Sequence, residues 1–333
     1  MLSTRSTPMV IARAHPNAIT DLAGSLSPRP TLGNTLNRIR HLSHRYLAAA
    51  HLRDRLEDLP QQFQHPQIRP WQPLPWRQVS ADQLQGIDRA TFCALLKGTI
   101  DTEAPIQGYT ATSRHYLQDL YPAMAEFVGG KVNGSGTPLT VGLWEREEKR
   151  HTPALIKLYT LLQGEPPKVT PHPARPHRPS TDPHGALYRH GLHRVATEYG
   201  ATCLYLWMMA YTTGPLQTVL AELLMDEINH MTKFWGFGQW AYPDSGLGKI
   251  SRTLGQSLIQ KIRHPTASSS LIHTLRRMMA ELAWDQWSAA NRVALIYSFD
   301  QVMKRLWRWH RTLTPAYLNP LFGPPMSQFK IQN

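Results

Sequence analysis

Residues 144–162 read WEREEKRHTPALIKLYTLL, and residues 220–234 read LAELLMDEINHMTKF. Each stretch carries a Glu-x-x-His: Glu148 with His151, and Glu227 with His230. Residues three apart share one face of an α-helix, so each pair points a carboxylate and an imidazole the same way. The flanking positions matter more than the pairs. Trp144, Glu148, His151, Leu155, Leu158 and Leu162 step by four and three, as do Leu220, Leu223, Glu227, His230 and Phe234. That is the spacing of a core-facing seam, so both glutamates should be buried. An unpaired buried carboxylate is very costly. Two such sites in one chain imply metal ions.

Glu-x-x-His on each of two helices, plus one Glu from each of two others, is the ligand set of four-helix-bundle di-iron and di-manganese carboxylate proteins. The helix before each motif should supply the extra carboxylate. Before Glu148, Glu103 continues the stripe Phe92, Leu95, Leu96 and Thr99, with Asp101 as a neighbour able to substitute. Before Glu227, Glu198 is the acidic residue amid an apolar and aromatic helix. The expected ligands are Glu103, Glu148, His151, Glu198, Glu227 and His230. Four carboxylates and two imidazoles would balance two cations, and these donors suit iron or manganese. One Glu-x-x-His is commonly just a solvated helix face. Two in apolar seams, each preceded by a helix with a placed Glu, point to metal.

No segment alternates like a strand, so the fold class is all-α: a ferritin-like four-helix bundle with additional N- and C-terminal helices. Residues 1–75 read as a basic N-terminal arm and Pro-rich linker, 76–245 as the bundle, and 246–333 as C-terminal helices packed on it. The first 45 residues hold six arginines and one acidic residue, Asp21. This composition suits a flexible arm or, as the alternative, a transit peptide that would place the protein in a plastid stroma rather than the cytoplasm. A short basic helix is expected over 36–59. Pro105 should bend or restart the Glu103 helix, Leu117 to Val128 should be helical, and Pro153 should bend the first Glu-x-x-His helix. The third helix should span about 187–212, and Gly214-Pro215 should open a fourth ending near Gly236.

With 41% hydrophobic residues the core needs no disulfides, and Cys93 and Cys203 sit in apolar stretches. Two cysteines make neither a staple framework nor an iron–sulfur site, which favours a reducing compartment. No apolar run approaches the roughly 18 residues of a membrane span. The net charge of +13 attracts acidic partners, and no recognition motif supports nucleic-acid binding. The histidines 172, 177, 184, 190 and 193 have irregular spacing among prolines and read as a mobile loop. Lys304, Arg308 and Arg311 share one helix face, opposite Val302, Leu306, Trp309 and Leu313; this reads as a solvated bundle helix. Trp144 and Tyr199, beside proposed ligands, read as packing.

The chain resembles the soluble plant-type fatty acyl–acyl carrier protein desaturases over about residues 75–245. Thr102-Glu103-Ala104-Pro105 with Tyr109 is similar to that family's first-ligand segment, Thr-Glu-Glu-Ala-Leu-Pro-Thr-Tyr. Trp144–Leu155 with LLQGE after it resembles the segment built on Glu-Glu-Asn-Arg-His, and Asp226-Glu227-x-x-His230 the last ligand motif. The resemblance implies that Asp226 and Arg150 lie behind the ligands and orient His151 and the carboxylates. It also implies two iron ions, dioxygen, an acidic acyl carrier protein bearing the substrate, an acidic electron donor such as ferredoxin, and a homodimer. This chain departs from the family in its early Pro105, in a Glu198-to-Glu227 spacing one turn shorter, and in Thr202. Thr202 follows Glu198 by four residues, as in bacterial multicomponent monooxygenases, where the Thr faces the oxygen site. Its alternative is a core hydroxyl bonded to its own helix.

The expected function is therefore an oxygen-dependent di-iron oxidoreductase that desaturates a carrier-bound acyl chain. Two alternatives stand beside it: a di-iron or manganese–iron oxygenase hydroxylating or N-oxygenating a small molecule, and a non-catalytic ferritin-like ferroxidase.

Overall fold

The computed structural model describes residues 31–171, 173–174, 176–245, 282, 284 and 287–323. The first 30 residues, read as the start of the arm, and most of 246–286 lie outside the described residues. Among the described residues the chain is helical, with two isolated bridges and no strand.

Helices begin where side chains can take up their first free N–H groups. Thr31 caps α1 (Leu32–Tyr46), Asp88 caps α4 (Arg89–Glu103), and Asp182, followed by Pro183, caps α9 (Pro183–Ala210). α9 and α10 (Gly214–Ala241) are 28 residues each, joined by three residues, and fold back on one another as the long pair of the bundle. α4 packs against α8 (His151–Gln163), and α5 (Ile106–Leu117) against α6 (Pro122–Gly129) and α9. α11 (Ala289–His310) lies on α9, and α12 (Pro315–Phe322) on α10. Val302, Leu306, Trp309 and Leu313 are buried while Lys304 pairs with Asp300 on the outside, as the amphipathic pattern requires.

Prolines account for most departures from the expected boundaries. The first Glu-x-x-His helix is two: α7 (Leu143–Glu148) and α8 (His151–Gln163). Pro153 has no N–H for the Lys149 carbonyl and its ring crowds that turn. The chain crosses the break with a tighter bond, Arg150 N to Glu147 O at 3.2 Å. Pro122 likewise restarts the helix expected to run through from Leu117, and Pro105 separates α4 from α5. α10 runs one turn past Gly236, because the apolar residues continue to Trp240 and Ala241.

The division at residue 75 is corrected. From Leu32 onward the segment read as arm and linker belongs to the bundle. α1 crosses α9 and α11, while α2 (Ala49–Glu57) packs on α10. Ile39, Leu52, Leu56 and Leu59 are fully buried. The α2–α10 contact is close enough that a Cβ on Gly236 would fall 2.3 Å from Leu56 Cδ1. The short α3 (Leu59–Gln64) uses Pro60 in its first turn, and residues 65–75 then run without helix across the bundle.

Candidate metal centre

Five helices bring the six expected residues together. Glu103 ends α4, Glu148 ends α7, His151 opens α8, Glu198 lies within α9, and Glu227 and His230 within α10. Both imidazoles are fully enclosed; Glu103, the most open of the six, has a side chain 13% exposed. Ligand atoms of Glu103, Glu148, His151 and Glu227 lie within 4.8 Å of one another, and so do those of Glu148, Glu198, Glu227 and His230. The two groups share Glu148 and Glu227. Glu148 faces both ways, with Oε2 at 3.2 Å from His151 Nδ1 and Oε1 at 2.7 Å from His230 Nδ1. Glu227 Oε1 lies 3.1 Å from His151 Nδ1. Glu103 and Glu198 stand at the ends, 4.0 Å from His151 Nδ1 and 3.8 Å from His230 Nδ1.

Behind the imidazoles the arrangement is reciprocal. His151 Nε2 meets Asp226 Oδ2 at 3.2 Å, and His230 Nε2 meets Glu147 Oε2 at 2.9 Å. The acid preceding each shared glutamate thus holds the histidine of the other helix. When each Nε2 donates outward, the Nδ1 lone pair faces inward. Asp226 is held in turn by Arg69 Nε at 2.7 Å, Trp71 Nε1 at 2.8 Å and Arg150 at 2.9 Å. Arg69 also bonds Glu222, and its backbone N–H bonds Glu147 at 2.7 Å. One residue of the 65–75 segment therefore touches both outer acids.

The inner atoms are incomplete without added positive charge. His151 Nδ1, His230 Nδ1 and Glu227 Oε1 are buried and lack a well-directed hydrogen bond, although carboxylate oxygens crowd them. A lone pair facing carboxylate oxygens near 3 Å is repelled unless a proton or a cation lies between. Burial pushes Glu103 up to about 8 and Glu227 up to about 7, and the charge on Glu148 adds to both. Burial and the neighbouring Glu148 and Glu227 also raise Glu198 well above the carboxylate range. Burial acts on Glu148 too, but His151 and His230 outweigh it and hold that carboxyl well below its ordinary value. The imidazoles, which burial alone would lower, are raised well above theirs, chiefly by Glu148. These raised carboxyls and imidazoles favour bound protons in the metal-free cluster, and the donor set can hold metal.

Asp226 and Arg150 are bonded to one another beside His151, with Arg150 also 4.7 Å over the Trp71 ring. Asp101 is no ligand: it accepts from Lys97 and from Thr170 N. Thr202 is fully buried, and its hydroxyl does not bond back to its own helix. Trp144 does more than pack, since its indole N–H donates to Glu148 Oε1 at 2.9 Å. Tyr199 ties α9 to α11 through the Phe299 carbonyl. The histidine tract is not simply a loop. His184, His190 and His193 lie in α9, His190 meets Ser113 Oγ at 2.9 Å, and His177 stacks on His115; His172 lies outside the described residues. Sequence reasoning missed Glu147, although an acid directly before each Glu-x-x-His is visible in both stretches. It also missed Arg69, Trp71, Glu222 and Tyr205. The Tyr205 ring meets His151 edge-on at 6.5 Å.

No helix among the described residues is long and apolar enough to cross a membrane. No protein-family model matches this chain, and neither a curated protein nor a solved structure matches it.

Proposed function

We propose that this protein is a dioxygen-dependent oxidoreductase holding two iron ions and acting on an unactivated C–H bond. The observation that carries this reading is the pair of ligand groups sharing Glu148 and Glu227. Shared carboxylates suit two ions side by side, and four carboxylates with two neutral imidazoles balance two divalent charges. When bound, the ions would supply dioxygen reduction and the oxidising power for C–H cleavage. The chain's own part is to orient and to exclude water. Asp226 and Glu147 fix the imidazoles, Trp144 holds one oxygen of Glu148, and the enclosed core keeps solvent from the centre.

A cavity one helical turn away supports an apolar substrate. It encloses about 720 Å³, solvent at its mouth included, and Leu117, Met124, Leu187, Val195 and Phe237 are among its lining residues. Arg194 precedes Glu198 by four residues and Phe234 follows His230 by four, and both line the cavity wall. The Phe234 ring lies 5.1 Å from that of Trp144, whose indole N–H donates to Glu148. The resemblance to acyl carrier protein desaturases makes an acyl chain the first substrate to try. Electrons would come from an acidic donor such as ferredoxin, suited to a charge of +13.

A second reading, oxygenation of a small polar molecule, is favoured by the Ser113–His190 pair in the cavity wall, which a hydrocarbon chain would not use. The test is iron analysis with Mössbauer spectroscopy, followed by product analysis under dioxygen. Two irons per chain and an alkene from carrier-bound acyl substrate support the proposal. Hydroxylated product from a free small molecule favours the second reading, and iron oxidation without either product refutes both.

A further inference from the structure

α9 carries Glu198, Thr202 and Tyr205 at intervals of four and three, on one helix face. Thr202 and Tyr205 are fully buried, and neither hydroxyl has a hydrogen-bond partner. Other buried threonines here behave differently: Thr99, Thr212 and Thr232 each donate to the carbonyl four residues back. The Tyr205 ring lies edge-on to His151 at 6.5 Å. After burial, the charges that weigh most on its phenol are Glu103, Glu227 and Glu148, in that order. Together with His151 these are the first of the two ligand groups. The phenol therefore borders the Glu103–His151 end of the centre. A buried donor with no acceptor is costly, and a phenylalanine would fill the same space without that cost.

We propose that Tyr205 is a positioning residue whose hydroxyl donates a hydrogen bond to a small anionic ligand or water bound at the Glu103–His151 end of the metal pair. Such a ligand would lie on the side of the centre facing α9, with Thr202 one turn away along that helix. The inference rests on the di-metal reading, and its test separates the two.

The protein is loaded with ferrous iron, oxidised in air, and titrated with azide, following the azide-to-iron charge-transfer absorption. Wild type and Tyr205→Phe should hold equal iron, and the metal-free variant should melt no lower than the metal-free wild type. Tyr205→Phe should bind azide roughly three- to tenfold more weakly, the worth of one hydrogen bond. Tyr121→Phe, whose phenol is elsewhere, should leave azide affinity unchanged. Equal azide affinity in Tyr205→Phe and wild type, or no azide band in the iron-loaded wild type, overturns the inference and leaves the metal reading intact. Loss of iron in Tyr205→Phe also overturns it, because the residue would then be building the site. A wild type that takes up no iron removes the metal reading and this inference together.

Discussion

Glu147-Glu148-Lys149-Arg150-His151 and Asp226-Glu227-Ile228-Asn229-His230 place the same groups at the same spacing, yet the first straddles a helix break and the second lies inside 28 unbroken residues. Their inner atoms nevertheless converge as equals. Each motif gives one shared glutamate, and each leading acid holds the other motif's imidazole. The difference lies behind the ligands. Asp226 receives Arg69, Trp71, Arg150 and His151, whereas Glu147 receives His230, the Arg69 backbone N–H and, at 3.4 Å, Asn229. A matched pair of inward-facing motifs can thus be held by unmatched supports, provided each support fixes the imidazole's direction.

The most drastic way to break this symmetry is to remove both shared carboxylates. If the proposed metal pair exists, Glu148→Ala combined with Glu227→Ala should reduce bound metal to almost none, measured by elemental analysis after dialysis. Full metal content in that variant would end the assignment of these groups as ligands. The outer acids come next. Loss of such a partner typically costs ten- to a hundredfold in metal affinity. Asp226→Asn should fall at the upper end and Glu147→Gln at the lower, because Asp226 also neutralises two guanidinium groups. Competition with a chromophoric chelator measures both; equal losses would show that the unequal supports carry no unequal energy.

A pH series sharpens the comparison between the inner groups. Glu103 at about 8 and Glu227 at about 7 are raised above their unfolded value of 4.5, as His151 and His230 are above 6.5. From pH 4.5 upward the metal-free folded chain then binds more protons than the unfolded chain, so its stability falls as pH rises through 7 and 8. Glu148, held low, works the other way, and its contribution is lost only in acid below 4.5. The metal-free protein should therefore melt highest near pH 5 and lose several degrees by pH 8. Metal uptake must displace those protons, so the gain in melting temperature on adding metal should grow over the same interval. A metal-free protein equally stable at pH 5 and pH 8 would contradict the proton-filled cluster.

The helices bearing the six inward groups were legible because charged residues recur at seam spacing, and a buried charge has few physical solutions. Glu103 and Glu198 could be found for the same reason. Glu147 was within reach too, since it stands before Glu148 as Asp226 stands before Glu227. Arg69 and Trp71 were not. They come from a stretch of prolines and glutamines with no period, and their partners lie 78 to 157 positions away. The same stretch misled the domain reading, because a proline-rich segment looks like a linker until its backbone is found bonded into a site. The Pro153 break was anticipated as a bend, but spacing alone could not tell whether Glu148 and His151 would still share a face across it.

That question yields the smallest expected effect. Pro153→Ala restores an N–H that could bond the Lys149 carbonyl and draw α7 and α8 into one helix. The gain is offset because alanine leaves the unfolded chain freer than proline does, by about 0.4–1 kcal/mol. Net stability should move by less than about 1 kcal/mol, read as a shift of a few degrees in melting temperature. Metal affinity should stay within about threefold, a change of roughly 0.7 kcal/mol or less. The reason lies in the other motif, where Glu227 and His230 reach equivalent positions from an unbroken helix. If the uninterrupted geometry serves one half, it serves the other. A tenfold or larger loss of metal in Pro153→Ala would mean instead that the break itself aims Glu148 between the two imidazoles, and the halves would be alike in composition only.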